Sequence, residues 1–312
     1  MQFITRAYNN IDLDESRGVI KKSSSEDRIR QELNYYHCVP EHLQCYFPRI
    51  FKFEHLKDHT YFEQEFFGYP NLGSVFTENT SFNWEKISRN ILSVLSDFSQ
   101  TSKSSENTGI HRNQMFIKKT EKEYSNLVEN FPFFSSLSSN DTLEINGKKY
   151  SSFERIWPDA EKIIRKDLVH SGEFSVIHGD MCFSNILCHP ETGVVRLIDP
   201  RGAFGDVGIY GDPIYDAAKL LHSTVGKYES IIYDNFNLSA TDKKIDFKHR
   251  DSLGSKLENF TQEICDRFDK KKALLIMSTI FIGMCARHYD SQERQTVMYA
   301  TGIKFMHEAL ES

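Results

Sequence analysis

Between Val176 and Asp199 the chain runs an apolar pair into His178-Gly-Asp180, passes Asn185, and then sets two short apolar runs around a turn. The runs are Ile186-Leu-Cys-His189 and Val194-Val-Arg-Leu-Ile198, and Pro190-Glu-Thr-Gly193 lies between them. Two such runs about a Pro/Gly turn predict an antiparallel hairpin. A hairpin returns its end to the level of its start, with the strands roughly 5 Å apart. Asn185 stands just before the first strand and Asp199 just after the second. Their side-chain oxygens can therefore converge on one small space, with Asp180 in the loop on the same edge.

An amide oxygen beside a carboxylate suits a hard cation that also takes phosphate oxygens, which points to Mg2+. The set has the layout of phosphoryl transfer: one Asp to orient a hydroxyl nucleophile, and an Asn and an Asp to position metal on a nucleotide. Taken singly, each residue is an ordinary turn former. Only the ordered set, with the hairpin between, carries the reading. Cys182, Cys188 and His189 invite a zinc site, but Cys188 and His189 are neighbours on a predicted strand and point to opposite faces.

His178-x-Asp180-x4-Asn185, followed by Ile198-Asp199, resembles the aminoglycoside phosphotransferase and choline kinase superfamily, relatives of the protein kinases. The resemblance implies an α+β, two-lobed protein-kinase-like fold, with a small antiparallel-sheet N-lobe over residues 1–68 and a larger, mainly helical C-lobe over 69–312. It implies ATP as co-substrate and Asp180 as the catalytic aspartate. It further implies Asn185 and Asp199 as metal ligands, and His178 in the catalytic loop as its support. Asp216 resembles the family aspartate that pins this loop. Gly179 stands where many protein kinases carry Arg, and Asp199 is followed by Pro200-Arg-Gly202 rather than Phe-Gly. Both fit a small-molecule kinase with no activation-loop phosphate to bind.

The longer string IHGDMCFSNIL…LIDPRG…GIYGDPIYDAAKL looks like phosphotransferase-family proteins of bacterial surface-polysaccharide and capsule synthesis. That finer resemblance implies a sugar, polyol or related precursor hydroxyl as acceptor. A choline/ethanolamine or aminoglycoside kinase is the alternative within the superfamily, and a catalytically silent nucleotide-binding scaffold the alternative outside it. Arg201, Asp206 and Asp212 are the acceptor-side candidates. Asp212 is also expected to cap a helix, with Pro213 at its first position.

The N-terminal part should supply a strand lysine for the nucleotide phosphates and a helix glutamate to hold it. Val19-Ile-Lys-Lys22 reads as the strand and Glu26 to Tyr36 as the helix, with Ile29, Leu33 and Tyr36 at helical spacing. By resemblance to V-x-x-K, Lys22 is the phosphate lysine and Glu32 its partner. Lys21 is the other candidate for phosphate, and Glu26 sits near the helix start. Phe3 to Ala7 reads as a strand, Asp12 to Gly18 as a turn, and Ile50 to Phe53 with Thr60 to Phe67 as a strand pair. The main chain of Glu65, Phe66 and Phe67 would meet adenine, and Gly68 to Gly73 would hinge the lobes. Further on, Trp84 to Phe98 is an amphipathic helix, 101–109 a polar loop, and Asn146-Gly147 the turn of a small hairpin. Helices resume from Phe153 and from Lys256.

The formal net charge of −6 argues against a nucleic-acid binder that works by general attraction to phosphate, while allowing a local basic pocket. Six cysteines without a CxxC pair read as reduced thiols. The N-terminus lacks the layout of a signal peptide, and Ala273 to Ala286 is too short to span a bilayer. A cytoplasmic protein with a small-molecule hydroxyl acceptor and no membrane insertion is expected.

Overall fold

The computed structural model describes residues 10–24, 27–56, 59–78, 82–105, 107–250 and 257–312; the expected strand Phe3–Ala7 and the carboxylate of Glu26 lie outside them. The chain opens with β1 (Asn10–Asp14), β2 (Val19–Ser24), α1 (Asp27–Cys38), β3 (Ile50–Leu56) and β4 (His59–Glu65). The strands form one antiparallel sheet in the order β1-β2-β4-β3. From Ile20 onward β2 alternates with period two. Ile20, Lys22 and Ser24 are buried, whereas Lys21 and Ser23 are only half-buried on the other face. Asp12 to Asp14 lie in β1, which confines the turn to 15–18. Ile11 and Leu13 alternate with the acids there, and that period outweighs the turn preference of aspartate.

After a connecting segment over 66–70 come α2 (Leu72–Thr77), α3 (Trp84–Ser99), β5 (Ser102–Ser105), α4 (Thr108–Asn113) and, past one π-helical turn, α5 (Lys119–Asn130). Then follow α6 (Pro132–Ser138), β6 (Thr142–Ile145), β7 (Lys148–Ser151), α7 (Phe153–Asp167) and β8 (Gly172–Val176). The hairpin strands β9 (Ile186–Cys188) and β10 (Val195–Leu197) precede β11 (Tyr210–Gly211), α8 (Ile214–Thr224) and α9 (Tyr228–Ile232). The chain ends with β12 (Phe236–Ala240), β13 (Lys244–His249), α10 (Glu258–Phe268), α11 (Lys270–Cys285) and α12 (Gln292–Glu311).

The 101–109 segment is not a loop throughout. Ser102–Ser105 pairs with β8, which sits between β5 and β11 and leads directly into the Asp180 loop. A run of serines carries no strand signal of its own; the edge of β8 imposes the conformation. The hairpin at 142–151 forms as the Asn-Gly pair predicts, with both turn residues at positive φ (50° and 77°). β12 and β13 extend it to a four-stranded sheet, β13 running parallel to β6. The greasy run Ala273–Ile282 is buried inside α11, which packs against α5, α8 and α12. Among the described residues no helix is long and apolar enough to cross a membrane, and all six cysteines are free. Phe47, which follows α1, stacks on Phe98 at 6.2 Å and on His178 at 6.3 Å. The core is thus continuous from the N-terminal helix to the loop that carries Asp180.

Candidate active site

The loop after β8 is held from behind by α8. Asp216 accepts the backbone N–H of His178 at 2.7 Å on one carboxylate oxygen and that of Gly179 at 2.8 Å on the other. Burial pushes its carboxyl up to about 7, against the pull of these two donors. His178 donates from Nε2 to the carbonyl of Ile198 (3.0 Å) and accepts the N–H of Asp180 on Nδ1 (3.2 Å). Those two bonds fix the neutral tautomer, and burial lowers the ring to about 4. Both nitrogens serve the backbone, so His178 supports the loop and has no free atom with which to move a proton. Gly179 takes φ +75°, and a Cβ there would stand 2.8 Å from Cβ of Arg201. Both demands exclude a side chain, which accounts for glycine at this position.

The hairpin closes as its ends require: the N–H of Ile198 donates to the carbonyl of Asn185 at 3.0 Å. The amide nitrogen of Asn185 donates to the backbone carbonyl of Asp180 (2.9 Å), which turns its side-chain oxygen the other way. Asp199 adopts φ 57°, a conformation aspartate tolerates better than most residues. Its carboxylate takes the ammonium of Lys22, which also lies 2.7 Å from Glu32. Burial works against the charge on Lys22, but Asp199 and Glu32 outweigh it and hold the ammonium protonated. Burial likewise works against Asp199, and Lys22 reverses it.

Among the described residues no group of three or more His, Cys, Asp or Glu side chains could hold a metal ion. Asn185 and Asp199 offer two hard oxygen donors, and the Lys22 ammonium on Asp199 shows that this carboxylate already faces a cation. Two protein oxygens fit Mg2+, which takes its remaining ligands from phosphates and water.

Asp180 is flanked by cations, Lys219 at 2.9 Å and Arg28 at 3.3 Å. Burial alone would raise its carboxyl; Lys219 and then Arg28 outweigh burial and hold it well below the usual carboxylate range. Neither cation was read from the sequence. Lys219 nevertheless had a signal, lying one turn after Asp216 on α8, whereas Arg28 meets Asp180 only through the tertiary fold.

The other candidates divide. The N–H groups of Glu65 and Phe66 are spent on the carbonyls of Arg49 and Gly18, both at 2.9 Å. That of Phe67 makes no hydrogen bond to a described residue, while the Phe67 ring stacks on Tyr69 and carries the guanidinium of Arg196. Gly68 to Gly73 is not free along its length. Pro70 accepts the N–H of Cys188 at 3.0 Å, and Asn71 caps α2 through Ser74 at 2.8 Å. Arg201 lines a cavity of 240 Å3 that Asp180 also lines, and its guanidinium donates to the Tyr215 hydroxyl at 3.2 Å.

Asp206 and Asp212 do not line that cavity. Asp206 is exposed. Asp212 is buried, accepting Nε of Arg112 at 2.6 Å and the N–H of Ile214 at 3.1 Å. These two acids thus stand apart from the cavity that Asp180 lines. Past β11 the chain places Asp212 against Arg112, and its other oxygen takes the first N–H of α8, that of Ile214, while Pro213 stands at the cap position.

No protein-family model and no characterised protein sequence matches the chain. Solved structures do. A thermostable mutant of aminoglycoside phosphotransferase APH(4)-Ia in its apo form matches with a TM-score of 0.59 at 12% identity, over 100% of this chain and 95% of that one. A thermostable mutant of the same protein, in a ternary complex with AMP-PNP and hygromycin B, gives 0.55 at 11% identity over 100% and 92%. At such identity what is shared is the architecture: the chain has the α+β, protein-kinase-like fold of aminoglycoside phosphotransferases.

Proposed function

We propose that this protein is an ATP-dependent kinase that transfers the γ-phosphoryl group to a hydroxyl of a small molecule. The observation that carries the reading is Lys22, buried and gripped by Glu32 and Asp199, beside a hairpin and loop that set Asn185 and Asp180 on one edge. Residues up to 68 form the nucleotide lobe and 69–312 the acceptor lobe. The Phe67 N–H and neighbouring main chain receive adenine, Lys22 neutralises phosphate oxygens, and Asn185 with Asp199 hold Mg2+. When bound, that ion supplies neutralising charge to the phosphates.

Asp180 receives the acceptor hydroxyl. Lys219 and Arg28 keep its carboxyl so acidic that it is a weak base. Its part is to orient the hydroxyl for a loose transition state in which positioning and charge dominate. Such a user of Mg-ATP works in the cytoplasm. The finer reading, a sugar or polyol precursor of surface polysaccharide as acceptor, rests on the sequence string around Asp180 to Leu220. An aminoglycoside acceptor is favoured instead by the neighbour bound to hygromycin B.

The test is acceptor-dependent ADP release across sugars, polyols, amino alcohols and aminoglycosides, with Asp180→Asn measured beside the natural chain. The variant should keep nucleotide binding and lose turnover; unchanged turnover would remove Asp180 from the chemistry.

A further inference from the structure

The cavity beside Asp180 has a charge opposite to that of the chain. Five of its lining side chains are cationic (Arg28, Lys119, Arg201, Lys219 and Arg287) and only Asp180 is a carboxylate, in a protein whose formal net charge is −6. Three of the five have acidic partners. Arg28 and Lys219 flank Asp180, and Arg287 pairs with Glu123. The other two do not. Among the described residues, Lys119 and Arg201 share only the hydroxyl of Tyr215, at 3.4 and 3.2 Å.

Two cations converging on a neutral phenol in a partly desolvated cavity is an unfavourable arrangement unless an anion completes it. Burial lowers Lys119 to about 8; the Tyr215 oxygen pulls it back up, and repulsion from Arg201, Arg287 and Lys219 adds to the fall. Burial would raise Tyr215, but Lys119, Arg201 and Lys219 together bring it down to about 8. Both side chains register the same unbalanced positive field. Apolar groups complete the wall, with Met115, Ile280 and Met284 facing the same space. The volume of 240 Å3 lies below the roughly 300–1,000 Å3 usual for drug-sized ligands.

We infer that the acceptor is a small hydroxyl compound that already carries an anionic group, a phosphate or a carboxylate, bound by Lys119, Arg201 and the Tyr215 hydroxyl while its free hydroxyl meets Asp180. This rests on the kinase reading and narrows it. A polycationic aminoglycoside would meet five positive side chains and one acid, so the cavity selects against it by charge. Lys119 and Tyr215 stand on α5 and α8. The lysine assigned to the nucleotide, Lys22, stands on β2 with its own two carboxylates, so the two basic sites have separate tasks.

The test fills the nucleotide site first. The protein is titrated with Mg-AMP-PNP, and absence of binding removes the kinase reading itself. Inorganic phosphate is then titrated calorimetrically into the AMP-PNP-loaded protein, where the γ-phosphate position is already occupied. Binding in the millimolar range is expected, weakened about tenfold in Lys119→Gln and in Arg201→Gln, which is the loss of one charge-assisted hydrogen bond. Lys119→Arg should restore it. No phosphate binding to the loaded natural chain, or undiminished binding in both glutamine variants, overturns the anionic subsite and leaves the kinase reading standing.

Matched pairs of acceptors supply the second arm: a polyol and its monophosphate, and a sugar and its acid. The anionic member should lead in kcat/KM, with the loss in Lys119→Gln falling on KM more than on kcat. A neutral parent or an aminoglycoside that outperforms its anionic counterpart overturns the inference. A chain that turns over none of them is decided by the phosphate titration.

Discussion

The ammonium of Lys22 stands 2.7 Å from the carboxylate of Glu32, across the gap from β2 to α1, and reaches Asp199 from the same position. Lys22 is thus the joint between the sheet, the helix and the far end of the hairpin. Lys22→Met leaves Glu32 with only the Tyr36 hydroxyl (3.3 Å) and frees Asp199. Mg-ATP-dependent turnover should fall by about 10²–10³, the range for removal of one preorganised electrostatic group. Glu32→Gln should cost about tenfold, because Lys22 keeps Asp199 and loses one charge-assisted bond. Steady-state kinetics with varied ATP, beside thermal melts of both variants, measure the difference. Equal losses would mean that Glu32, and not the lysine, is what the nucleotide site needs.

Gly202 and Gly18 form a natural pair of controls. Both take positive φ, +69° and +64°. A Cβ at Gly18 meets nothing within 4 Å, whereas one at Gly202 runs into the main-chain carbonyl of Gln31 on α1. Gly18→Ala should therefore cost only backbone strain, about 1 kcal/mol. Gly202→Ala adds a clash with backbone and should exceed about 2 kcal/mol. Urea midpoints at unchanged m decide it. Similar losses would show that the 200–210 loop does not dock on α1.

The closing of the hairpin, which brings the backbone at Ile198 to that of Asn185, could be read from the sequence because the element that creates it is local. A hairpin returns its own ends. The sequence left Lys21 and Lys22 as alternatives, since its alternation does not say which set faces inward; the structure buries Lys22 against Glu32. What could not be read depends on long-range placement. Arg28 meets Asp180 across 152 positions, and no periodicity links them. The strand at 102–105 exists because β8 offers an edge, and its serines give no hint of it. Asp206 and Asp212 stood as acceptor-side candidates because a cationic acceptor would want acidic neighbours. The reversal at β11 sends Asp212 to Arg112 instead.

His178 sets a pH dependence whose sign follows from burial. Its ring falls from the ordinary 6.5 to about 4 because burial disfavours the imidazolium. Protonation therefore favours the unfolded chain. The stability that rests on the neutral ring is complete above pH 6.5 and is lost as the pH falls toward 4; it is worth roughly 3 kcal/mol. Asp216 and Glu229, raised to about 7 by burial, act in the opposite sense as the pH rises through that range. The readout is therefore the difference in urea stability between the natural chain and His178→Asn. That gap should be constant above pH 6.5 and narrow by roughly 3 kcal/mol toward pH 4. A gap independent of pH would mean the ring takes up its proton without leaving its place.

Arg112 ties the segment after β5 to the strand that leads into the loop of Asp180. Its guanidinium reaches Asp212 (2.6 Å), Thr108 (3.3 Å) and the carbonyls of His170 (2.6 Å) and Glu173 (3.1 Å), and it lies over the ring of Phe174. A lysine could keep the charge beside Asp212, but it cannot span this fork of acceptors. Arg112→Lys should cost about 1–2 kcal/mol, since two part-buried carbonyls lose a donor. Arg112→Met should cost more, about 3–5 kcal/mol, because it also leaves the Asp212 carboxylate buried without its cation. Chemical denaturation of the two variants orders them. If the methionine variant proved as stable as the lysine one, the ion pair would contribute nothing beyond the guanidinium's other bonds. The anchor for β8 would then have to be sought in the packing of its own Phe174 against Phe204, whose rings meet edge to face at 5.3 Å.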